Sequence, residues 1–486
     1  MSQNHYDLIV IGSGPAGRRG AIQAAKLNKR VLVVERGRRV GGVSVHTGTI
    51  PSKTLRETVL NLSGWRERGF YGRAYRAKQN IGAEDLRRRL DITLDHEVDV
   101  LEHQFARNNV DTVQGAARFL DAHRLAVEGG RGEAATYSAE RFLITVGTRP
   151  YRPAHIGFDG RNIVDSDEIL DLDRIPRQLV VVGASVIGVE YASIFSALDV
   201  KVTVIEPNDG LLPFIDREVT DEFVHDLRER GVILRFGSKV VSATVEGPQT
   251  CRVVLADDRE LRCDMVLFSA GREGATDGLG LDACGLAPDE RGRLTVDKVT
   301  FQTAIGHIYA AGDIIGFPSL ASTSMEQGRI AACHAFDAPS HKAPEFFPYG
   351  IYSVPEISTI GMSEEQARER GIPYECGVAR FRETSRGHIM GIGSGFMKML
   401  FALETRRLLG VHIVGEGATE LIHIGQAVLN LEGTLDYFVE NTFNYPTLAE
   451  AYKVAALDAW NRMPRQQPSL IVTRQKLERA TKVMGG

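Results

Sequence analysis

Three glycines near the start of the chain have the spacing of a phosphate-binding turn: Gly12, Gly14 and Gly17. An apolar run precedes them and an alanine-rich helical pattern follows, as where a β-strand leads into a helix. The first glycine permits a tight turn, the second lets the backbone approach a pyrophosphate, and the third lets the helix pack close to the strand. A second apolar run ends at Glu35, whose carboxylate can accept hydrogen bonds from ribose hydroxyls. The stretch predicts a dinucleotide-binding βαβ unit.

The arrangement returns in the middle of the chain, where the three positions are occupied by Gly183, Ser185 and Gly188. Glu206 follows Gly188 by 18 residues, the same spacing that separates Glu35 from Gly17. We therefore predict a second dinucleotide site, in which Ser185 narrows the approach to the pyrophosphate without closing it. Two such sites in one chain suggest a bound flavin and an exchanging nicotinamide nucleotide.

The acid of the second unit bears on which nucleotide binds there. A carboxylate at this strand end accepts a hydrogen bond from the 2′-hydroxyl of NAD, whereas a 2′-phosphate would meet a like charge. At ~5 Å and an effective dielectric constant of ~20, the repulsion is about 3 kcal/mol per unit charge. Glu206 therefore favours NAD(H) over NADP(H), unless a cation compensates, for which Lys201 and Arg217 are candidates nearby in sequence.

The composition argues against several other classes of function. A net charge of −4 provides no basic surface for nucleic acid, and no apolar run reaches the ~18–20 residues that a membrane helix needs. The five cysteines lie far apart, with no C-x-x-C pair and no clustered histidines, so we expect isolated thiols, no disulfide and no metal site. The N-terminus has no signal-like segment, and we expect a soluble cytoplasmic protein.

With 486 residues, of which 43% are hydrophobic, the chain can form several cores. Glycine turns mark where it passes between them: Gly147, Gly271 and Gly312. Asp313 could bond the ribityl hydroxyls of a flavin, cap a helix, or do both. We predict an α/β fold with two Rossmann-like FAD- and NAD(P)-binding domains and an α+β C-terminal dimerisation domain. The predicted boundaries are 1–150 for the first part of the FAD-binding domain, 151–275 for the NAD(P)-binding domain, 276–346 for the second part of the FAD-binding or central domain, 347–463 for the dimerisation domain and 464–486 for a C-terminal tail.

Taken in order, these motifs resemble those of the flavin disulfide oxidoreductases of the lipoamide dehydrogenase and glutathione reductase type, over nearly the full length. The likeness also covers Ala311-Gly312-Asp313, Tyr445-Pro446-Thr447 with Glu450, and a stretch that begins at Gly41-Gly42 and ends in Ile50-Pro51-Ser52-Lys53. Within that superfamily, the run His46-Thr47-Gly48-Thr49 is most similar to the soluble pyridine nucleotide transhydrogenases. The resemblance implies that Gly41 and Gly42 approach the flavin, that Lys53 faces it, and that Glu190 is the lysine's partner beside the nicotinamide.

The redox-active cysteines of the superfamily are missing. Their two positions hold Ser44 and Thr49, and Tyr445 stands where disulfide reductases carry the histidine that protonates the leaving thiolate. A tyrosine, with an unperturbed pKa of about 10, is a poor proton shuttle at neutral pH. Dithiol chemistry therefore lacks its nucleophile, its resolving thiol and its acid, whereas hydride transfer between a nicotinamide and a flavin needs none of them.

The resemblance implies an NAD(P)+ transhydrogenase of the Si-specific type, with Lys53 and Glu190 as catalytic residues. It would hold one non-covalent FAD per subunit, use NAD(H) and NADP(H) as substrates, and form a homodimer or higher homo-oligomer. The expected reaction converts NADPH and NAD+ to NADP+ and NADH by a ping-pong mechanism through the second nucleotide site. Two alternatives remain open: an NAD(P)H dehydrogenase (diaphorase) that reduces a quinone or dye, and a nucleotide-sensing flavoprotein without turnover.

Overall fold

The structure is a computed structural model that describes residues 4–129, 134–340 and 345–463. The predicted tail, 464–486, lies outside the described residues. The described strands, numbered β1 to β22 in chain order, are His5–Ile11, Val31–Glu35, Asp111–Gln114, Ala116–Asp121, Arg124–Glu128, Ala134–Ile144, Thr148–Pro150, Ile163–Asp165, Gln178–Val182, Lys201–Ile205, Ile233–Arg235, Val240–Gly247, Thr250–Leu255, Glu260–Cys263, Met265–Phe268, Arg272–Gly274, Ile308–Ala310, Tyr349–Ile351, Ile357–Gly361, Tyr374–Arg380, Phe396–Ala402 and Leu408–Val414.

The described α-helices, numbered α1 to α13, are Pro15–Lys26, Gly42–His46, Thr49–Leu62, Arg68–Tyr71, Ala83–Arg107, Val186–Ala197, Arg217–Glu229, Ala321–Ala335, Glu364–Glu369, Ser385–Met390, Ala418–Asn430, Leu435–Glu440 and Glu450–Arg462. Short 3-10 helices cover Trp65–Glu67, Glu168–Leu170, Leu281–Cys284, Asp313–Ile315 and Phe381–Glu383. Among the described helices, none combines the length and the apolar character needed to cross a membrane.

The N-terminal unit is built on a mixed sheet in the order β3-β2-β1-β6-β5-β4, with β17 paired to β6. β1, β2, β3, β6 and β17 are parallel to one another. β5 pairs antiparallel with β6, and β4 pairs antiparallel with β5. The central strand β1 is apolar throughout because both of its faces are covered. Leu8 and Val10 pack in one core with helices α1 and α8, and Ile9 and Ile11 pack in another beneath β4 and β5.

The middle unit has an all-parallel sheet in the order β11-β10-β9-β15-β8. Helices α6 and α7 cover one face, where Val181 is buried. The antiparallel β12-β13-β14 sheet covers the other, where Val180 and Val182 are buried. The alternation along β9 follows from the two-residue period of a strand, and it delivers Gly183 to the sheet edge that carries the carboxyl ends of the strands.

The C-terminal unit is an antiparallel sheet, β18-β19-β22-β21-β20, packed against helices α11 and α13. Together, the two parallel-sheet units with glycine-rich turns and this α+β unit confirm the predicted fold class.

A buried ion cluster joins the middle unit to the C-terminal unit. The ammonium of Lys398, in β21, lies 3.1 Å from Asp216 at the start of α7 and 2.5 Å from Glu364 in α9. Lys398 is only 1% exposed, and its neighbours raise its pKa because they favour the charged form. Buried charges are tolerated when they are paired, so the cluster favours one docking of the two units.

Candidate active site between the two nucleotide units

A cavity of about 680 Å³ opens at the carboxyl edge of the first sheet. Predicted cofactor-binding residues line it: Gly12, Gly14, Glu35, Gly42, Gly147, Gly312 and Asp313. Gly12, Gly42 and Gly147 have positive φ angles of 99°, 60° and 66°, which side-chain-bearing residues rarely adopt. The cavity floor is therefore bare backbone, which suits the close approach of a pyrophosphate.

Gly17 lies behind the cavity rather than in its wall. A Cβ atom on Gly17 would fall 1.9 Å from the carbonyl oxygen of Gly12, so helix α1 can start this close to the turn only with glycine there. A Cβ on Gly14 would meet no protein atom within 4 Å, which leaves that space open to a ligand. The second unit repeats the first contact, because a Cβ on Gly188 would lie 1.9 Å from the carbonyl oxygen of Gly183.

Glu35 organises the turn as well as facing the cavity. Its carboxylate accepts hydrogen bonds from the amide and the hydroxyl of Ser13 and, at 2.7 Å, from the amide of Gly37. The Ser13 hydroxyl in turn accepts from the amide of Gly41 at 2.8 Å, which connects the first turn to the stretch 41–53. The sequence offered no sign of this role, since Ser13 occupies a variable position of the glycine motif.

Asp313 lines both of the cavities found at this site, the first and the second described below. It follows Gly312 within a 3-10 helix, and its carboxylate accepts a hydrogen bond from the hydroxyl of Ser324 at 3.3 Å. Gly312 holds the N-cap position of that 3-10 helix and Leu320 that of helix α8, so the structure does not favour the capping alternative for Asp313. Burial raises the pKa of Asp313, as expected for a carboxyl group with few polar neighbours in the protein.

A second cavity, of about 740 Å³, lies where the three units meet, and each of them supplies part of its wall. Lys53, Ser185, Glu190 and Gly271 line it, whereas Gly183, Gly188 and Glu206 lie in the turn and strand end beside it. The two cavities share several wall residues: Val43, Thr47, Thr49, Thr148, Asp313, Ser319 and Ala321. They therefore meet at the stretch 41–53, and Ser44 lines the first cavity at this junction.

Lys53 and Glu190 form the ion pair that the resemblance implied. The ammonium of Lys53 lies 2.8 Å from both carboxylate oxygens of Glu190, and the two side chains are 25% and 5% exposed. Glu190 also accepts a hydrogen bond from the amide of Tyr352 at 2.8 Å, and the Lys53 ammonium lies 4.8 Å from the centre of the Tyr352 ring. Tyr352 comes from the C-terminal unit and gave no signal in the sequence.

Glu206 is engaged within its own turn. One carboxylate oxygen accepts from the amide of Ala184 at 2.7 Å, and the other accepts from the amide and side chain of Asn208 at 3.0 and 2.6 Å. This arrangement parallels that of Glu35 in the first unit. Each acid therefore holds its glycine-rich turn in place through a backbone amide.

The cations suggested by sequence proximity do not lie beside Glu206. Lys201 begins strand β10, at the opposite end from Glu206, and Arg217 lies exposed on α7 with Asp221 as its ion partner. The neighbour across the sheet edge is Arg235, whose carbonyl oxygen accepts from the Glu206 amide at 2.9 Å. Sequence proximity failed because a parallel sheet brings together strand ends that are far apart along the chain.

Neither a cysteine nor Tyr445 is among the described residues that line the junction of the two cavities. Among the described residues, neither cavity is lined by a cysteine. Tyr445 is 70% exposed and lies within hydrogen-bonding distance, 2.5 Å, of the Ser385 hydroxyl on the C-terminal unit. Ser44 donates to the carbonyl oxygen of Gly41 at 3.1 Å, so its hydroxyl serves the local turn.

Comparison with known proteins agrees with this architecture. Residues 6–328 match the pyridine nucleotide-disulphide oxidoreductase family, and residues 347–456 match its dimerisation domain. The chain is 50% identical over 459 residues to a soluble pyridine nucleotide transhydrogenase of Mycobacterium tuberculosis, covering 94% of this chain and 98% of that protein. It is 43% identical over 464 residues to the enzyme of that name from Klebsiella pneumoniae, with the same coverage.

Solved structures show the same overall fold. LpdA from Mycobacterium tuberculosis superposes with a TM-score of 0.85 at 26% identity, covering 93% of this chain and 99% of that one. The HOCl-induced flavoprotein disulfide reductase RclA from Escherichia coli gives a TM-score of 0.84, with the same identity and coverage.

The glycine contacts predict different outcomes for two similar substitutions. Gly17→Ala places a methyl group against the Gly12 carbonyl oxygen and should destabilise the apoprotein by roughly 2 kcal/mol. Gly14→Ala meets no protein atom, so it should leave the melting temperature of the apoprotein unchanged while weakening FAD binding. Thermal melts and FAD titrations of both variants would check this, and equal melting temperatures would contradict it.

Proposed function

Because the chain belongs to the pyridine nucleotide-disulphide oxidoreductases, and within them to the soluble pyridine nucleotide transhydrogenases, we propose that it catalyses FAD-dependent hydride transfer between nicotinamide nucleotides. The proposed net reaction converts NADPH and NAD+ to NADP+ and NADH. The observation that carries the proposal is the junction of the two cavities, which meet at Val43, Thr47 and Thr49 with no thiol in the wall. A direct hydride path fits this junction, whereas a disulfide relay does not.

The first cavity fits FAD by its own chemistry. Its bare glycine backbone suits a pyrophosphate, the Glu35 carboxylate can accept from ribose hydroxyls, and half-buried Asp313 has room for hydroxyl partners. When bound, FAD would supply the group that takes a hydride from a reduced nicotinamide and gives it to an oxidised one. We propose one non-covalent FAD per subunit and exchange of both nucleotides through the second cavity.

The residues of the second cavity hold charge and exclude water. Glu190 fixes the Lys53 ammonium from two oxygens, and the Tyr352 ring lies against it, so the positive charge stays in the wall of the second cavity. Lys53 lines the second cavity only, four residues along helix α3 from the shared residue Thr49, and a fixed cation this close to the junction would stabilise the negative charge that arrives with a hydride. Ser185 and the start of helix α6 present backbone amides to the nucleotide pyrophosphate.

The rest of the proposal concerns assembly and stereochemistry. The dimerisation domain supports a homodimer, and we include a cytoplasmic location, the Si-specific course of transfer and the domain boundaries given above as parts of the proposal. The second candidate function is an NAD(P)H dehydrogenase that reduces a quinone or dye. Its support is Glu206, whose carboxylate opposes a 2′-phosphate at the second site.

Wild-type kinetics test the shared-site mechanism. Both NADH and NADPH should reduce the bound flavin in stopped-flow absorbance, and steady-state double-reciprocal plots for the two nucleotides should be parallel. Intersecting lines would refute exchange through one site. Reduction by NADH alone, with faster turnover on a quinone than on NADP+, would favour the dehydrogenase, and no reduction by either nucleotide would leave only a nucleotide-sensing role.

The Lys53–Glu190 pair predicts a specific loss. Lys53→Met keeps the length of the side chain but removes the charge, so the rate constant for flavin reduction by NADH should fall by about 10- to 100-fold. Lys201→Met is the matched control, because Lys201 is exposed at the far end of strand β10. The assignment fails if the two variants reduce their flavin at the same rate.

NADPH use requires a cation that offsets Glu206, and we infer that Arg235 supplies it. Arg235 ends the strand beside Glu206, and its Nε atom is buried with no hydrogen-bond partner among the described residues. An unpaired guanidinium at this edge is suited to a phosphate. Lys201 lies at the opposite end of strand β10, and Arg217 pairs with Asp221 on helix α7, so neither is a similar cation at this sheet edge.

Arg235→Gln should raise the KM for NADPH by about 10-fold and leave the KM for NADH nearly unchanged, since a lost phosphate contact is worth about 1.4 kcal/mol. Arg217→Gln serves as the control for a general change of surface charge. Equal effects on both nucleotides would show that Arg235 does not select the 2′-phosphate.

A further inference from the structure

Two cysteines that are 12 positions apart in the sequence lie directly opposite each other in the fold. Cys251 in β13 and Cys263 in β14 are register partners on neighbouring antiparallel strands. Both belong to the apolar cluster between the β12-β13-β14 sheet and strand β9, with Val180 and Val182. Directly opposed residues of an antiparallel pair project to the same face, so the two thiols point into one small space.

The strand pairing sets a separation that suits a disulfide. The amide of Leu255 donates to the carbonyl oxygen of Arg259 at 2.9 Å, which makes these two residues a hydrogen-bonded pair. Pair types alternate along an antiparallel ladder, so Cys251 and Cys263, four residues further along each strand, form the same type. Such a pair has Cα atoms about 5.5 Å apart, within the roughly 4.4–6.8 Å that disulfides bridge. Its Cβ atoms, up to about 5.5 Å apart, must approach to about 4.5 Å, so the bond forms with a shift of the short strand β14 toward β13.

The thiols already interact with each other. A hydrogen bond from the Cys263 thiol lowers the pKa of Cys251, and the same hydrogen bond, together with burial, raises the pKa of Cys263. The Cys251 thiol also donates to the carbonyl oxygen of Asn162 at 3.6 Å, which holds its sulfur in place beside Cys263. In the scheme below, Cys251 makes the first attack and Cys263 is the resolving thiol.

We propose that Cys251 and Cys263 are a redox-active pair that forms a reversible cross-strand disulfide on exposure to a hydroperoxide. The Cys251 sulfur attacks one peroxide oxygen, the O–O bond breaks, and Cys251 sulfenic acid and water (or an alcohol) form. The Cys263 sulfur then attacks the Cys251 sulfur, the S–O bond breaks, and a second water leaves with the Cys263 proton. Two thiols are oxidised by two electrons and one peroxide is reduced, and an external dithiol reverses the reaction by exchange.

Access to the pair comes through the edge of its sheet. Cys251 and Cys263 are 0% and 4% exposed, so a peroxide reaches them only when this sheet opens. Strand β14 has only four residues and is one of the two outer strands, so its ladder with β13 can open locally without unfolding the unit. The pair lies on the face of the second sheet opposite helix α6. Its core is different from the one that contains Leu55 and Val189, which are close in sequence to Lys53 and Glu190. It is therefore separate from the flavin junction and does not replace the relay that Ser44 and Thr49 lack.

Peptide mapping of the full-length FAD-bound protein tests the proposal. Hydrogen peroxide treatment is followed by alkylation of free thiols with iodoacetamide and by trypsin digestion without reductant. Because Arg252 and Arg262 separate the two cysteines, the disulfide yields peptides 240–252 and 263–272 joined to each other. We expect this linked species to increase with peroxide and to disappear when dithiothreitol is added before alkylation.

Matched variants distinguish the pair from general cysteine oxidation. Cys284→Ala removes another buried thiol and should leave the linked peptides unchanged. Cys263→Ala should abolish the linkage and let Cys251 accumulate as a dimedone-reactive sulfenic acid. The proposal is overturned if Cys251 and Cys263 stay fully alkylated after Cys376, the more exposed thiol, has been oxidised. It is equally overturned if either forms its disulfide with a different cysteine.

Discussion

The arrangement of the active region depends on one ion pair, Lys53 with Glu190. Lys53 belongs to helix α3 of the N-terminal unit, Glu190 to helix α6 of the middle unit, and the Tyr352 amide that completes the acid's contacts to the C-terminal unit. A nearly buried carboxylate is costly unless its oxygens are paired, so these three contacts favour a single docking of three separately folded units. The second cavity exists only in that docking, because all three units supply its wall. Arg56, in the same helix as Lys53, adds a second tie through the Ser353 carbonyl oxygen at 2.9 Å.

The glycine-rich turns of the two nucleotide units are stabilised by the same two kinds of contact. In each, the third glycine permits the helix to begin against the turn, and the strand-end acid accepts from an amide of that turn. Glu35 and Glu206 thus stabilise their glycine-rich turns through hydrogen bonds within the protein. Ala184 and Asn208 hold the Glu206 carboxylate, so it cannot swing away without breaking these contacts.

The chemistry retained at the junction is simpler than that of a disulfide reductase. Ser44 hydrogen-bonds to its own turn, Thr49 lines both cavities, and Tyr445 is exposed and is not among the described residues that line either cavity. The remaining features are bare backbone in the first cavity and a fixed cation in the wall of the second. These suffice for hydride transfer, which requires alignment and exclusion of water but no acid and no thiol. The thiols that the chain does oppose, in β13 and β14, lie in another core.

The sequence by itself determined the two glycine-rich turns, the strands and helices around them, the fold class and the missing cysteines, because each of these is encoded in a short contiguous stretch. Only the tertiary structure decided which distant residues meet. It joined Tyr352 to Glu190, placed Arg235 rather than Lys201 or Arg217 beside Glu206, and put Gly312 and Leu320, not Asp313, at the nearby N-cap positions. It also opposed two cysteines that the spacing had suggested were isolated. Strand register and domain docking set these contacts, and both depend on packing between segments that have no common local pattern.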